Sequence, residues 1–68
     1  MKNSILTKRE KEVFELLILN QTTVEIATKL GISEKTVRNH VSNTIQKLGV
    51  KGRAGALVEL VKLGEIKI

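Results

Sequence analysis

The chain has 68 residues, a formal net charge of +5 and no cysteine. A chain of this length forms one small domain with a thin core, and without cysteine it can have neither disulfides nor thiolate metal ligands. No apolar run approaches the roughly 20 residues that cross a bilayer, and the N-terminus lacks an apolar signal segment. The composition therefore predicts a single domain over residues 1–68, cytoplasmic and with no membrane partner. Because proline is absent and Phe14 is the single aromatic residue, the domain is expected to be helical.

The first two predicted helices each begin with a capping box, in which a Thr and a Glu side chain satisfy each other's backbone amides. The first is "TKRE", starting at Thr7, and the second is "TTVE", starting at Thr22. The first helix should end near Asn20, since asparagine tolerates the left-handed backbone of a helix end. The second should end at Gly31.

The third and fourth predicted helices follow after short connections. Ser33 is the expected N-cap of the third helix, and Gly49 should stop it after about Leu48. The fourth is expected over about residues 53–63. Four helices joined by two to four residues each predict a compact all-α bundle.

The junction of the second and third helices has the pattern of a helix-turn-helix motif, over about residues 22–48. A small residue allows close approach, a glycine takes the turn, and apolar residues fix the crossing: Ile26, Ala27, Leu30, Gly31, Ile32 and Val37. In such motifs the second helix enters the major groove of double-stranded DNA.

The third helix carries a polar face with almost no acid. At 100° per residue, its apolar side is formed by Val37, Val41, Thr44, Ile45 and Leu48. The opposite side offers groups that hydrogen-bond to base edges, and the predicted base-reading residues are Lys35, Arg38, Asn39 and Ser42. The predicted phosphate contacts, made by hydroxyls, an amide and cations, are Ser33, Thr36, Asn43, Lys47, Lys51 and Arg53.

The fourth helix is apolar over roughly 220° of its circumference, more than one core contact needs. This surplus predicts a homodimer interface formed by Ala54, Leu57, Val58 and Val61. The alternative is that Ile66 and Ile68 fold back and cover the surplus surface.

The sequence offers no catalytic constellation. His40 is the only histidine, it borders the core, and no Asp or Cys can partner it. One histidine and scattered Glu residues do not assemble a triad or a metal cage. The segment "GVKGRAG" lacks the spacing and strand context of a phosphate-binding loop. We therefore expect no catalytic residue, no metal, no cofactor and no enzymatic activity.

The segments "LTKREKEVFELL" and "TTVEIATKLGISEKTVRNHVSNTIQKLGVKGR", with Ala56 after them, resemble the helix-turn-helix domain of the LuxR/FixJ/NarL regulators over nearly the whole chain. The resemblance implies four helices, a third helix in the major groove, a fourth helix that dimerises, and base contacts at Arg38, Asn39 and Ser42. Within the family it is closest to a stand-alone regulator of late mother-cell genes in spore-forming Bacilli, which implies a sporulation role. Asn20 departs from the glycine that the family usually has there.

The leading hypothesis is a sequence-specific, dimeric transcription factor that is associated with the nucleoid through DNA and works with RNA polymerase. No receiver or ligand-sensing domain precedes the motif, so no small-molecule ligand is expected. One alternative is a sigma-factor region four, which shares the "LTxRE…IA…LGIS…TVR" logic but lacks the fourth helix. Another is a protein-interaction module with the same fold, which has no need of Lys35, Arg38 and Asn39 together.

Overall fold

The computed structural model describes residues 5–67, which form four α-helices and no strand. The helices are α1 (Lys8–Ile18), α2 (Thr23–Leu30), α3 (Glu34–Leu48) and α4 (Arg53–Lys62). The predicted all-α architecture is therefore confirmed, and its predicted helix bounds agree closely with those observed. Within residues 5–67, none of the helices combines the length and apolar content that crossing a membrane requires.

The starts of α1 and α2 are fixed by the two predicted capping boxes. Thr7 Oγ1 accepts the Glu10 N–H at 3.1 Å, while the Thr7 N–H donates to Glu10 Oε1 at 2.9 Å. Thr22 and Glu25 repeat this exchange at 3.1 and 2.7 Å. Each box satisfies two amides that a helix start would otherwise leave without an intrahelical partner.

The ends of α1 and α2 depend on left-handed residues. Asn20 follows α1 with a φ of 66°, and it is the one non-glycine residue with a positive φ within residues 5–67. Gly31 ends α2 with a φ of 69°. The expectation that Asn20 takes the left-handed conformation is confirmed, so the departure from glycine is accommodated by the backbone.

The core lies between α3 and the other three helices, each of which packs against it. Its buried apolar residues come from all four helices and from both flanking segments: Leu6, Val13, Phe14, Leu17, Ile26, Ala27, Val37, Ala56, Leu60 and Ile66. Thr44 is also fully buried, and its hydroxyl donates to the His40 carbonyl at 2.8 Å. Because that polar group is satisfied within its own helix, it can lie against the core at little cost.

The segment after α4 turns back onto the domain. Ile66 is buried, and its N–H lies 3.4 Å from the Leu60 carbonyl oxygen. The predicted fold-back of Ile66 is therefore observed, but Val58 on the outer side of α4 remains 60% exposed. Ile68, the other residue of that alternative, lies outside the described residues. The surplus apolar surface of α4 is not covered within residues 5–67.

Candidate nucleic-acid interface

The four residues predicted to read bases form one exposed surface on α3. We call this surface the reading face, and it consists of Lys35, Arg38, Asn39 and Ser42, all of which are exposed. Val37 and Thr44, on the other side of the helix, have exposures of 1% and 0%. The core therefore holds α3 in a fixed rotation that presents the reading face to solvent.

Arg38 has a weakly held partner on its own helix. Its Nη1 lies 3.6 Å from Glu34 Oε1, and the two side chains are 63% and 48% exposed. Exposed pairs four residues apart contribute only about 0.3–0.5 kcal/mol. The guanidinium can therefore leave Glu34 for a better acceptor, such as the paired O6 and N7 acceptors of guanine.

The start of α3 presents two hydroxyls to solvent. Ser33 Oγ accepts the Thr36 N–H at 3.1 Å, which makes Ser33 the N-cap as predicted. The two hydroxyl oxygens lie 2.9 Å apart and share one hydrogen bond. Since two hydroxyl hydrogens serve one bond, the second can be donated to an outside acceptor such as phosphate.

One side of the reading face adjoins a groove where α2, α3 and α4 meet. The groove is lined by apolar core residues and by four polar ones, Thr23, Arg38, Ser42 and Arg53. We call these four residues the Arg53 flank. Arg53 is exposed at the first position of α4, and no acid within residues 5–67 pairs with it or with its neighbour Lys51. The guanidinium groups of Arg38 and Arg53 thus border one groove, and within residues 5–67 no acid compensates the charge of Arg53.

The sequence pattern by itself does not identify Thr23 as a candidate DNA contact. It is the second Thr of "TTVE" and the first residue of α2. It lines the same groove as Arg53, thirty residues later in the chain, because α2 and α4 both pack against α3. Only the three-dimensional fold brings it to the groove.

The other side of the reading face adjoins the start of α1. A second groove there is lined by Thr7, Glu10, Asn43, Gln46 and Lys47, and we call these residues the Glu10 flank. Lys47 Nζ lies 2.6 Å from Glu10 Oε1 and donates to the Ile5 carbonyl at 3.4 Å. The Glu10 side chain is only 4% exposed, against 37% for Lys47. Lys47 was predicted to contact phosphate, and the fold gives its ammonium two partners within the protein.

The carboxyl group of Glu10 is stabilised in its charged form. Burial by itself would raise its pKa, but hydrogen bonds from Lys47 and Thr7, together with the Lys47 charge, outweigh this effect. The pKa of Glu10 therefore lies below its ordinary value of 4.5. The Glu10 flank is consequently an ion pair at neutral pH, and its net charge is close to zero.

The outer side of α4 is apolar. At 100° per residue, the predicted dimer residues Ala54, Leu57, Val58 and Val61 lie within about 100° of one another, roughly 130° from the buried face of Ala56 and Leu60. Leu57, Val58 and Val61 line a shallow groove with Ile18 and Lys62. Ala54 and Val58 are exposed, while Leu57 and Val61 are half-buried. The fold thus brings the predicted dimer residues together on one surface.

The described residues contain no arrangement suited to metal chemistry. Among residues 5–67, no group of three or more His, Cys, Asp or Glu side chains could hold a metal ion. His40 is half-buried at the border between the polar face of α3 and the core. This position agrees with the packed histidine that was expected.

Comparison with known proteins gives consistent matches over this fold. The family model described as "Bacterial regulatory proteins, luxR family" matches residues 4–60. The spore germination protein GerE of Bacillus subtilis (strain 168) is 66% identical over 64 residues, which are 94% of this chain and 86% of GerE. A solved structure of the transcription factor GerE superposes with a TM-score of 0.94 at 58% identity, covering 96% of this chain and 97% of that one. The predicted resemblance to a stand-alone spore-formation regulator is confirmed.

Longer regulators match over only part of their length. The transcriptional regulatory protein DegU of Brevibacillus brevis is 48% identical over 94% of this chain, but the match covers 27% of DegU. The transcriptional regulatory protein DesR of Bacillus subtilis (strain 168) is 45% identical, and the match covers 31% of DesR. The chain thus spans about a quarter to a third of these relatives.

Proposed function

The chain belongs to the luxR family of bacterial regulatory proteins and is a helix-turn-helix regulator of transcription that binds DNA, and we propose that it reads DNA sequence with the reading face of α3. The observation that carries the proposal is the position of Arg38, Asn39 and Ser42, which lie exposed on the side of α3 away from Val37 and Thr44. A helix of 15 residues is about 22 Å long, and the major groove admits one helix across its width of about 12 Å.

The chemistry of the reading face supports a division of roles among its residues. Arg38 can bond to the two acceptors of a guanine, Asn39 can bond to an adenine in the same bidentate way, and Ser42 can bond to either base. Lys35 adds a flexible cation with three donors. The proposed phosphate contacts around them are Ser33, Thr36, Asn43, Lys51 and Arg53. Thr23 is included with them because it lines the same groove as Arg53.

The test of sequence reading is a binding selection from random duplex DNA, followed by titration of the enriched duplex over a range of salt concentrations. We expect enrichment of a defined sequence and a steep fall of affinity with salt, because lysine and arginine displace condensed counterions from the DNA. A protein-interaction module with the same fold would enrich no sequence. That result would exclude the proposal.

We infer that two chains associate through the outer face of α4. The support is its apolar stripe, which includes Val58 at 60% exposure although it lies in the middle of a helix. Exposed apolar patches of this kind usually mark contact surfaces. A symmetric dimer would read two half-sites about 34 Å apart, or a multiple of that distance.

The dimer is tested by sedimentation equilibrium with Val58→Glu. Its matched control is Val24→Glu, because Val24 is also an exposed valine, 55% exposed, but lies on α2. We expect the dimer to dissociate in the first variant and to persist in the second. A wild-type chain that stays monomeric at high concentration, or equal effects of both changes, would contradict the proposed interface.

The similarity to the spore germination protein GerE, over most of both chains, supports a role in regulating genes of spore formation. Such a regulator acts in the cytoplasm at the nucleoid and meets RNA polymerase at the promoter, so a role in transcription rather than catalysis is proposed. The test is a Bacillus subtilis strain in which this chain replaces GerE. We expect normal spore germination in that strain, and a germination defect equal to that of the deletion would exclude the role.

A further inference from the structure

Lys47 and Glu10 form an ion pair that joins α3, the reading helix, to the start of α1. We propose that this pair positions α3 for DNA binding and that Lys47 does not contact phosphate. The inference rests on the proposed reading of DNA by α3. Lys47 lies in the last turn of α3, which ends at Leu48, and Glu10 lies in the first turn of α1. We call the pair, with its partners Thr7 and Ile5, the Lys47 tether.

The Lys47 tether is built around a buried carboxylate. Glu10 Oε1 accepts the Thr7 N–H at 2.9 Å and the Lys47 ammonium at 2.6 Å, and its side chain is 4% exposed. A buried carboxylate that loses its cation is costly, because its remaining hydrogen bonds do not replace the lost charge. The Glu10 flank holds no second cation within its groove. Moving Lys47 to a DNA phosphate would therefore leave Glu10 uncompensated.

The tether also holds the residues that precede α1. Lys47 Nζ donates to the Ile5 carbonyl at 3.4 Å, and the next residue, Leu6, is buried in the core. A side chain of the reading helix thus contacts the chain just before α1. Displacing Lys47 would remove a contact that joins the end of α3 to this entering segment.

The location of the tether on α3 explains how it can act on DNA binding without touching DNA. Lys47 is nine residues after Arg38, so it lies about 14 Å further along the axis and about 180° around the helix. The start of α3 is held separately by the Gly31 turn and by the buried Val37. A helix fixed at both ends keeps one tilt, and the tilt decides whether the reading face meets the base edges.

The experiment that separates the two roles of Lys47 is Glu10→Gln, measured by affinity for the selected duplex. If Lys47 positions α3, removing the Glu10 charge loosens the tether, and affinity should fall roughly 2- to 30-fold. If Lys47 contacts phosphate, the same change frees its ammonium and removes a nearby acid, so affinity should stay or rise. Unchanged or tighter binding by Glu10→Gln would overturn the proposal.

The salt dependence of binding gives a second discrimination, with Arg53→Met as the matched control. Lys47→Met should weaken binding while keeping the wild-type slope of log affinity against log salt, and Lys47→Arg should restore most of the affinity. Arg53→Met should reduce the slope by about 0.9, the value for one lost phosphate contact. The same reduction of the slope in Lys47→Met would assign Lys47 to a phosphate contact and overturn the proposal, and no rescue by Lys47→Arg would contradict the need for a cation beside Glu10.

A measurement without DNA separates failure of the tether from failure of the proposed function. Amide hydrogen exchange in Glu10→Gln should be faster at Leu6 and in the last turn of α3, with little change in α2. Should the wild-type chain enrich no DNA sequence, the proposed function fails, while this exchange result still shows whether the tether holds α3. Unchanged exchange at both places would overturn the tether even if DNA is bound.

Discussion

The two flanks of the reading face each contain basic side chains, but they differ in whether a buried acid compensates the charge. On the Arg53 flank, Arg53 has no acidic partner within residues 5–67, and Arg38 has only an exposed pair at 3.6 Å. On the Glu10 flank, Lys47 lies 2.6 Å from a buried carboxylate. A cation attracts phosphate less when a nearby acid compensates its charge. The difference is the reason for proposing that the first flank contacts DNA and that the second holds the helix in place.

The comparison also shows that position on a helical wheel does not decide the role of a basic residue. Lys47 and Arg38 lie about 180° apart on the wheel, on opposite edges of the polar face of α3. The helices beside them differ. Near Lys47, α1 has an acid, Glu10, in its first turn, whereas near Arg38, α4 begins with a base, Arg53. The surroundings of a cation therefore decide between a structural and a DNA-binding role.

The largest expected effect comes from shortening Arg38. Arg38→Ala should cost about 1–3 kcal/mol of DNA-binding free energy and relax the preference at one base pair, because a bidentate base contact is lost. Arg53→Ala, on the same flank, should weaken all sequences alike. A repeat of the random-duplex selection with each variant checks this. An unchanged base preference in Arg38→Ala would assign base reading to other residues.

The next largest effect is on stability and concerns the Glu10 flank. Lys47→Met should lower the free energy of unfolding by about 1–3 kcal/mol, because the buried Glu10 carboxylate loses its charged partner. Lys51→Met is the matched control, and as an exposed, unpaired lysine it should change stability by no more than about 0.5 kcal/mol. Urea denaturation measures both. Equal stabilities of the two variants would show that the pairing of Lys47 with Glu10 does not stabilise the fold.

A smaller effect is expected from pH. The pKa of Glu10 in the folded chain lies below its ordinary value of 4.5, so the ion pair contributes its full stability above that value. The contribution is lost progressively as the pH falls through the lowered pKa, since the folded state then binds the proton less readily than the unfolded state. Urea denaturation between about pH 6 and pH 3 should show this loss. Glu10→Gln should show a shallower dependence over the same range, and identical profiles would argue against the ion pair.

The smallest effect is expected at Glu34. Glu34→Gln removes the exposed partner of Arg38, worth about 0.3–0.5 kcal/mol, and should tighten DNA binding roughly twofold. Glu15→Gln is the control, since Glu15 is exposed on α1 and forms no ion pair within residues 5–67. Fluorescence anisotropy with the selected duplex can resolve such a change. Weaker binding by Glu34→Gln would show that Glu34 orients Arg38 instead of competing for it.

The sequence by itself was sufficient to predict the positions of the helices, because the signals that start and end them are local. The Thr7 and Thr22 capping boxes each act across three residues, and the left-handed conformation of Asn20 depends on its own side chain and backbone. The rotation of α3 was likewise predictable, since Val37 and Thr44 mark the buried side at helical spacing. Local hydrogen bonding and apolar periodicity thus determine the four helices and the exposure of the reading face.

Only the tertiary structure decided what lies beside that face. Lys47 and Glu10 are 37 residues apart, and Thr23 and Arg53 line one groove only because α2 and α4 both pack against α3. Sequence periodicity assigns a residue to a face of its own helix, but it carries no information about which other helix covers the edge of that face. The charge of a side chain is a property of the sequence, whereas its compensation depends on packing. For this reason Lys47 was predicted as a phosphate contact, and the fold paired it with a buried acid.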